Sequence, residues 1–97
     1  MGQHRTSVEI LAEILVAVKN GARKTRIMYQ ANLSFDLLKK YLDYALQAGL
    51  IVPPSESNGV YSVSDRGHDF LERYDRYMLR NAQVEDQLRA MAREGYA

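Results

Sequence analysis

Apolar residues recur at helical spacing through Val8, Ile10, Leu11, Ile14, Leu15 and Val18, which predicts an amphipathic helix over 7–20. Thr6 and Glu9 have the spacing of a capping box, and Gly21 suits the left-handed backbone that ends many helices. Ile27, Met28 and Ala31 mark a second helix over 24–31, too short to be stable without neighbours. Asn32 and Leu33 make a turn. Ser34 then stands where an N-cap belongs, and Leu38, Tyr41, Leu42, Ala45 and Leu46 form the stripe of a third helix over 34–48, closed by Gly49. Two short β-prone runs, 50–52 and 60–63, flank Pro53-Pro54 and the hairpin signal Asn58-Gly59. Ser64 and Asp65 offer a cap for a last helix over 65–94, roughly 45 Å long at 1.5 Å per residue. Gly67 falls in its first turn, where glycine weakens a helix least.

The predicted order is helix, short helix, turn, helix, strand, hairpin tip, strand, long helix. The fold class is mainly α with a small β-hairpin. The middle helices make a helix-turn-helix and the hairpin makes a wing. The expected organisation is a flexible start at 1–6, a winged head at 7–64, a long helix at 65–94 and a flexible tail at 95–97. The long helix is longer than a head of this size needs. Along it Phe70, Tyr74, Tyr77, Asn81, Val84, Leu88 and Met91 alternate in steps of four and three, a heptad seam. Leu71 and Met78 widen the stripe and are expected to pack on the first helix. Beyond residue 80 little chain is left to cover Val84, Leu88 and Met91, so a partner is expected there.

Composition adds mainly exclusions. The 97 residues carry 46% hydrophobic and 26% charged side chains, the balance of a folded domain. With no cysteine there is no disulfide framework, thiolate metal site or cysteine nucleophile. No apolar run approaches the roughly 20 residues of a membrane span, and the polar run Met1 to Ser7 is not the apolar stretch of a signal peptide. His4 and His68 are far apart and fit no metal motif; His68 is expected on the exposed side of the last helix's first turn. No phosphate loop, serine elbow or paired buried carboxylate is evident. The chain is therefore read as a non-enzyme with no cofactor and no metal.

Charge changes the picture once it is read along the chain. The total is +1, from 13 Lys+Arg against 12 Asp+Glu. Residues 19–40, however, hold six cations (Lys19, Arg23, Lys24, Arg26, Lys39, Lys40) and one acid, Asp36, so this block is +5. Residues 65–97 hold six Arg and seven acids, which is −1. A cationic block on a helix-turn-helix is the footprint of phosphate binding; the bland alternative is a solvated surface. Arg23, Lys24 and Thr25 open the second helix, with Arg26 one turn on. Ser34, Phe35, Asp36, Lys39 and Lys40 lie on the early part of the third helix, the part that enters the major groove in such motifs. Lys39 suits guanine or phosphate. Asp36 suits cytosine, or caps the helix and orients a lysine. Phe35 meets a thymine methyl or packs over the second helix. Tyr29 and Tyr41 are assigned to the core or its edge. Leu37 points outward. The wing tip Ser55-Glu56-Ser57-Asn58 lacks cations, and Glu56 repels phosphate, while Asn58 retains a donor for a narrow groove.

The run Arg23 to Ser34, followed by Leu38, Tyr41-Leu42, Gly49-Leu50-Ile51, Tyr61, Asp65-Arg66-Gly67 and Phe70-Leu71, resembles the archaeal winged-helix DNA-binding proteins of about ten kilodaltons, which include chromatin-associated and transcription-regulator-like members. The resemblance is good over residues 7 to about 80. It implies double-stranded DNA as partner, no catalysis, a cytoplasmic, nucleoid-associated location, and a homodimer joined by an antiparallel coiled coil of the last helix. A dimer interface of Tyr74, Tyr77, Asn81, Val84, Leu88 and Met91 follows. Crossing at Asn81 sets Tyr77 against Val84, Tyr74 against Leu88 and Phe70 against Met91, each an aromatic against an aliphatic residue. A parallel pair would instead let Arg80 meet Glu85, whereas the antiparallel one brings the two Arg80 residues together; an exposed ion pair contributes only about 0–1 kcal/mol. The alternative from another class is a winged-helix protein-interaction module without direct DNA binding, favoured by Leu37 and the acidic wing.

Overall fold

The computed structural model describes residues 5–55 and 57–95. Helix α1 (Ser7–Ala17) opens with the expected capping box: the Thr6 hydroxyl accepts from the Glu9 amide, and the Glu9 carboxylate accepts from the Thr6 amide, both at 3.1 Å. It buries Ile10, Leu11, Ile14 and Leu15. The helix ends three residues earlier than the 7–20 expectation. Past Ala17 the chain tightens: Lys19 N–H reaches only the Val16 carbonyl, and Gly21 turns at φ +84°. Val8 is 46% exposed although it belongs to the apolar stripe, because it borders an open groove beside the last helix of the chain.

Helix α2 (Lys24–Gln30) and helix α3 (Phe35–Gln47) are joined by a turn in which Asn32 takes φ +53°. The Ser34 hydroxyl caps α3 by accepting from Leu37 N–H at 3.2 Å. Inward residues Ile27, Leu38, Leu42 and Ala45 join Ile14, Leu15 and Val18 in one core. The turn is held from outside by Arg5, which was expected in a flexible start. One guanidinium nitrogen pairs with Glu13 at 2.7 Å and donates to the Ala31 carbonyl at 2.6 Å; the other donates to the Asn32 carbonyl at 2.9 Å. It thereby joins α1 to the carbonyl end of α2.

Strand β1 (Ile51–Val52) pairs antiparallel with strand β2 (Ser62–Val63), Ile51 opposite Val63 and Val52 opposite Ser62. A third piece completes this small sheet: Ala22 and Tyr61 exchange two backbone hydrogen bonds, at 3.1 and 2.8 Å. The link between α1 and α2 is thus tied to the hairpin.

Helix α4 (Asp65–Gly95) is capped by Ser64, whose hydroxyl accepts from Gly67 N–H at 3.0 Å and donates to the Gly49 carbonyl at 2.5 Å. Gly67 does more than sit where glycine is tolerated. A β-carbon there would lie 2.0 Å from the Leu50 carbonyl oxygen, so the first turn of α4 presses directly on the chain entering β1. Leu71 is the last residue of α4 buried in the head. The helix then runs outward, giving a molecule of 64 × 32 × 20 Å.

Candidate nucleic-acid interface

The cations of residues 23–40 stand on α2, its N-cap and α3, the two helices joined by the turn at Asn32. Arg23, Lys24, Thr25 and Arg26 are exposed, as are Ser34, Phe35, Asp36, Lys39 and Lys40. Among the described residues none of the cations Lys19, Arg23, Lys24, Arg26, Lys39 and Lys40 has a carboxylate within ion-pair distance, whereas Arg73, Arg76 and Arg89 of α4 pair with Asp69, Glu72 and Glu85. These six cations stand without ion-pair partners among the described residues, whereas three of the six arginines of α4 are paired within the helix. Lys40 also lies 5.4 Å from the centre of the Tyr41 ring, and the Tyr41 hydroxyl meets Ser7 Oγ at 3.2 Å. Tyr41 is thus a core-edge residue, as expected, and it steadies one lysine of the surface.

Three features depart from the sequence reading. Tyr29, assigned to the core or its edge, is 81% exposed. Ile27 and Ala31 take the inward positions of this seven-residue helix, so Tyr29 falls on the opposite side, three residues from Arg26 and four from Thr25. Asp43 was overlooked. It recurs one turn after Lys39 and Lys40 and two after Asp36, on the exposed side of α3. The four charged residues of α3 therefore cancel, and the positive field comes from the Lys19–Arg26 stretch. Phe35 is 63% exposed and does not fill the packing role held open for it. A helical projection of the thirteen residues 35–47 would have located Asp43.

The wing is less informative. Asn58 is exposed, but its Oδ1 accepts from Val60 N–H at 3.0 Å and so shapes the turn, with Gly59 at φ +71°. Glu56, the acid thought to repel phosphate, lies outside the described residues, as does His4. His68 is exposed on the first turn of α4.

The seam residues form a second surface. Tyr74 is half-buried; Tyr77, Val84, Leu88 and Met91 are 57%, 46%, 59% and 65% exposed, and Asn81 is exposed. Leu71 is buried, whereas Met78, expected against α1, is 44% exposed. Val8 and Glu9 of α1 face Phe70, Tyr74, Tyr77 and Met78 across an open groove. Partial burial, with the carboxylates of Glu9 and Glu13 nearby, holds the Tyr74 phenol above its ordinary pKa. Among the described residues no group of three His, Cys, Asp or Glu is placed to hold a metal ion, and no helix is long and apolar enough to cross a membrane.

These elements have counterparts elsewhere. Residues 4–81 match the model of the winged helix-turn-helix family. Two relatives come from Methanocaldococcus jannaschii. The uncharacterized protein MJ0290 is 38% identical over 72 residues, covering 73% of this chain and 33% of that one. The uncharacterized protein MJ0287 is 44% identical over 48 residues, covering 48% of this chain and 50% of that one. The chain therefore spans a third to a half of the length of these relatives. The crystal structure of Sso10a-2, a DNA-binding protein from Sulfolobus solfataricus, superposes with a TM-score of 0.82 at 19% identity, covering 91% of this chain and 94% of that one, so the two share a fold. With the order of its elements, its bridged hairpin and the match over residues 4–81, the chain belongs to the winged helix-turn-helix family.

Proposed function

We propose that the protein binds double-stranded DNA without catalysing a reaction. It acts as a homodimer joined by antiparallel pairing of α4, in a chromatin-associated or regulatory role at the cytoplasmic nucleoid. One observation carries the DNA reading: the start of α2 and the link that leads into it bear Lys19, Arg23, Lys24 and Arg26, exposed and without carboxylate partners among the described residues. Such a surface draws much of its affinity from neutralising phosphates and releasing counterions. The description of Sso10a-2 as a DNA-binding protein supports the same reading. Within it, Arg23, Lys24, Thr25, Arg26 and Lys40 hold the backbone. Ser34, Phe35, Asp36 and Lys39 approach base edges, and Asn58 reaches the minor groove.

The dimer rests on the exposed strip Tyr77, Val84, Leu88 and Met91 and on the groove beside Val8. In an antiparallel pair the groove of one chain receives the distal part of the other's α4, which covers Val8 as well. Two heads on one rigid body raise the effective concentration of each for the same duplex.

The test is a titration of random duplex DNA at several salt concentrations. Affinity is expected to fall steeply as salt rises, and charge-removing substitutions at Arg23, Lys24, Arg26 and Lys39 to flatten the dependence by about two units of slope each, one contact from each chain of the dimer. Affinity independent of salt would overturn the DNA reading. A second reading, a protein-interaction module, is favoured by the outward apolar residues Leu37, Tyr44 and Val52, which are 41%, 60% and 42% exposed, and by the cancelled charge of α3. It is distinguished by the absence of duplex binding at low salt.

A further inference from the structure

Arg73, Arg76 and Arg80 lie along one flank of α4 and, with Tyr77, line a shallow depression. Their spacing of three and four continues through Gln83 and Gln87, so one stripe carries five long donor side chains. Arg73 and Arg76 are held by Asp69 and Glu72, one turn back. Arg80 differs: the positions three and four away on either side are Arg76, Tyr77, Gln83 and Val84, so no carboxylate of its own helix is in reach. Among the described residues it forms no ion pair.

We propose that this stripe is a second DNA-binding element, at the middle of the dimer, which grips the phosphodiester backbone of the duplex held by the two heads. The inference rests on the antiparallel, DNA-binding homodimer proposed above. In that pair the two-fold axis stands perpendicular to the helices, and it turns both stripes onto the same side. Six arginines then share one face between the heads. The two Arg80 residues flank the axis itself, one position from the crossing at Asn81. In a parallel pair the stripes would fall on opposite sides. Two uncompensated guanidinium groups brought together repel each other. Nothing in the seam requires a cation there, because the Gln83 and Gln87 positions on the same flank are neutral. A polyanion laid across the axis removes the repulsion. The same phosphates that bind the stripe therefore tighten the dimer.

The test compares the wild-type protein with Arg80→Gln and with Arg89→Gln, an equal charge change on the opposite flank, where Arg89 pairs with Glu85 at 2.6 Å. Random-duplex affinity is measured across salt, and dimerisation by sedimentation at low salt without DNA. For Arg80→Gln the expected result is a dimer at least as tight as the wild type, weaker duplex binding, and a salt slope lower by about 2, one contact from each chain. Arg89→Gln is expected to keep the wild-type slope. A wild-type slope in Arg80→Gln overturns the stripe, and so does an equal loss in Arg89→Gln, which would assign the effect to net charge. A wild-type protein that binds duplex with no salt dependence overturns the DNA reading itself, and the stripe with it.

Discussion

The carbonyl oxygen of Leu50 occupies the place beside Gly67 where any other residue would put its β-carbon, 2.0 Å away. The same carbonyl accepts from Ser64 N–H at 3.1 Å, so it is fixed from both sides. Gly67→Ala gains roughly 1 kcal/mol of helix propensity but forces α4 off the hairpin. A net destabilisation of about 2–3 kcal/mol is expected, the upper end of overpacking. Urea unfolding measures it, and an unchanged midpoint would contradict the close approach.

Arg5 joins Glu13 to the Ala31 and Asn32 carbonyls. Hydrogen bonds from a charged donor contribute about 1.5–3 kcal/mol when sheltered, and this side chain is 22% exposed. Arg5→Ala is expected to destabilise the head by about 1–2 kcal/mol by the same measurement. Arg26→Ala, an exposed cation without such bonds, should leave the unfolding midpoint in place. Equal effects would remove any special role for Arg5.

Tyr29 stands beside Arg26 with most of its surface in water. Tyr29→Ala should weaken duplex binding while changing stability by less than about 0.5 kcal/mol, as surface substitutions do. Tyr29→Phe separates a hydroxyl contact to phosphate from a ring contact. If both variants bind as the wild type does, Tyr29 is outside the interface.

Asp43 shares the exposed side of α3 with Lys39 and Lys40. Replacing it by Asn removes a charge that opposes phosphate, so duplex affinity should rise about two- to fivefold at low salt, within the roughly 1 kcal/mol of an aqueous charge pair. The gain should shrink as salt is added. A loss of affinity would mean that Asp43 itself touches the DNA as an acceptor.

Val84→Glu combined with Leu88→Glu places four charges in a two-chain seam. Sedimentation should then report monomers, with the head still folded. Truncation after Arg80 should weaken DNA binding mostly through lost avidity. A dimer that survives the double substitution would refute the seam.

The parts of the fold that were legible are those set by neighbouring residues. Thr6 with Glu9, Ser34 with Leu37, and the Asn58-Gly59 turn each act within four residues, and each appears where the spacing indicated. What the spacing concealed depends on chain segments meeting from afar. Ala22 finds Tyr61 through a single bridge between segments with no shared pattern. Gly67 looked like a weak helix position because the Leu50 carbonyl that demands it lies seventeen residues earlier in the chain. Tyr29 was misplaced because seven residues carry too little periodicity to fix a face. Asp43 was missed because charge was summed by block, whereas ligands meet faces.

Burial in the head ends at Leu71, ten residues before Asn81. In the proposed antiparallel pair those ten residues, taken from each side of the crossing, put the two heads roughly 30 Å apart. One turn of duplex is about 34–36 Å. The long helix is then a ruler, and its length decides whether both heads meet the same side of the double helix. Removing one heptad between Leu71 and Asn81 draws the heads about 20 Å closer. The shortened protein keeps its heptad phase and its helix-turn-helix surface, although it loses seam aromatics and stripe arginines, and it falls out of phase with the DNA.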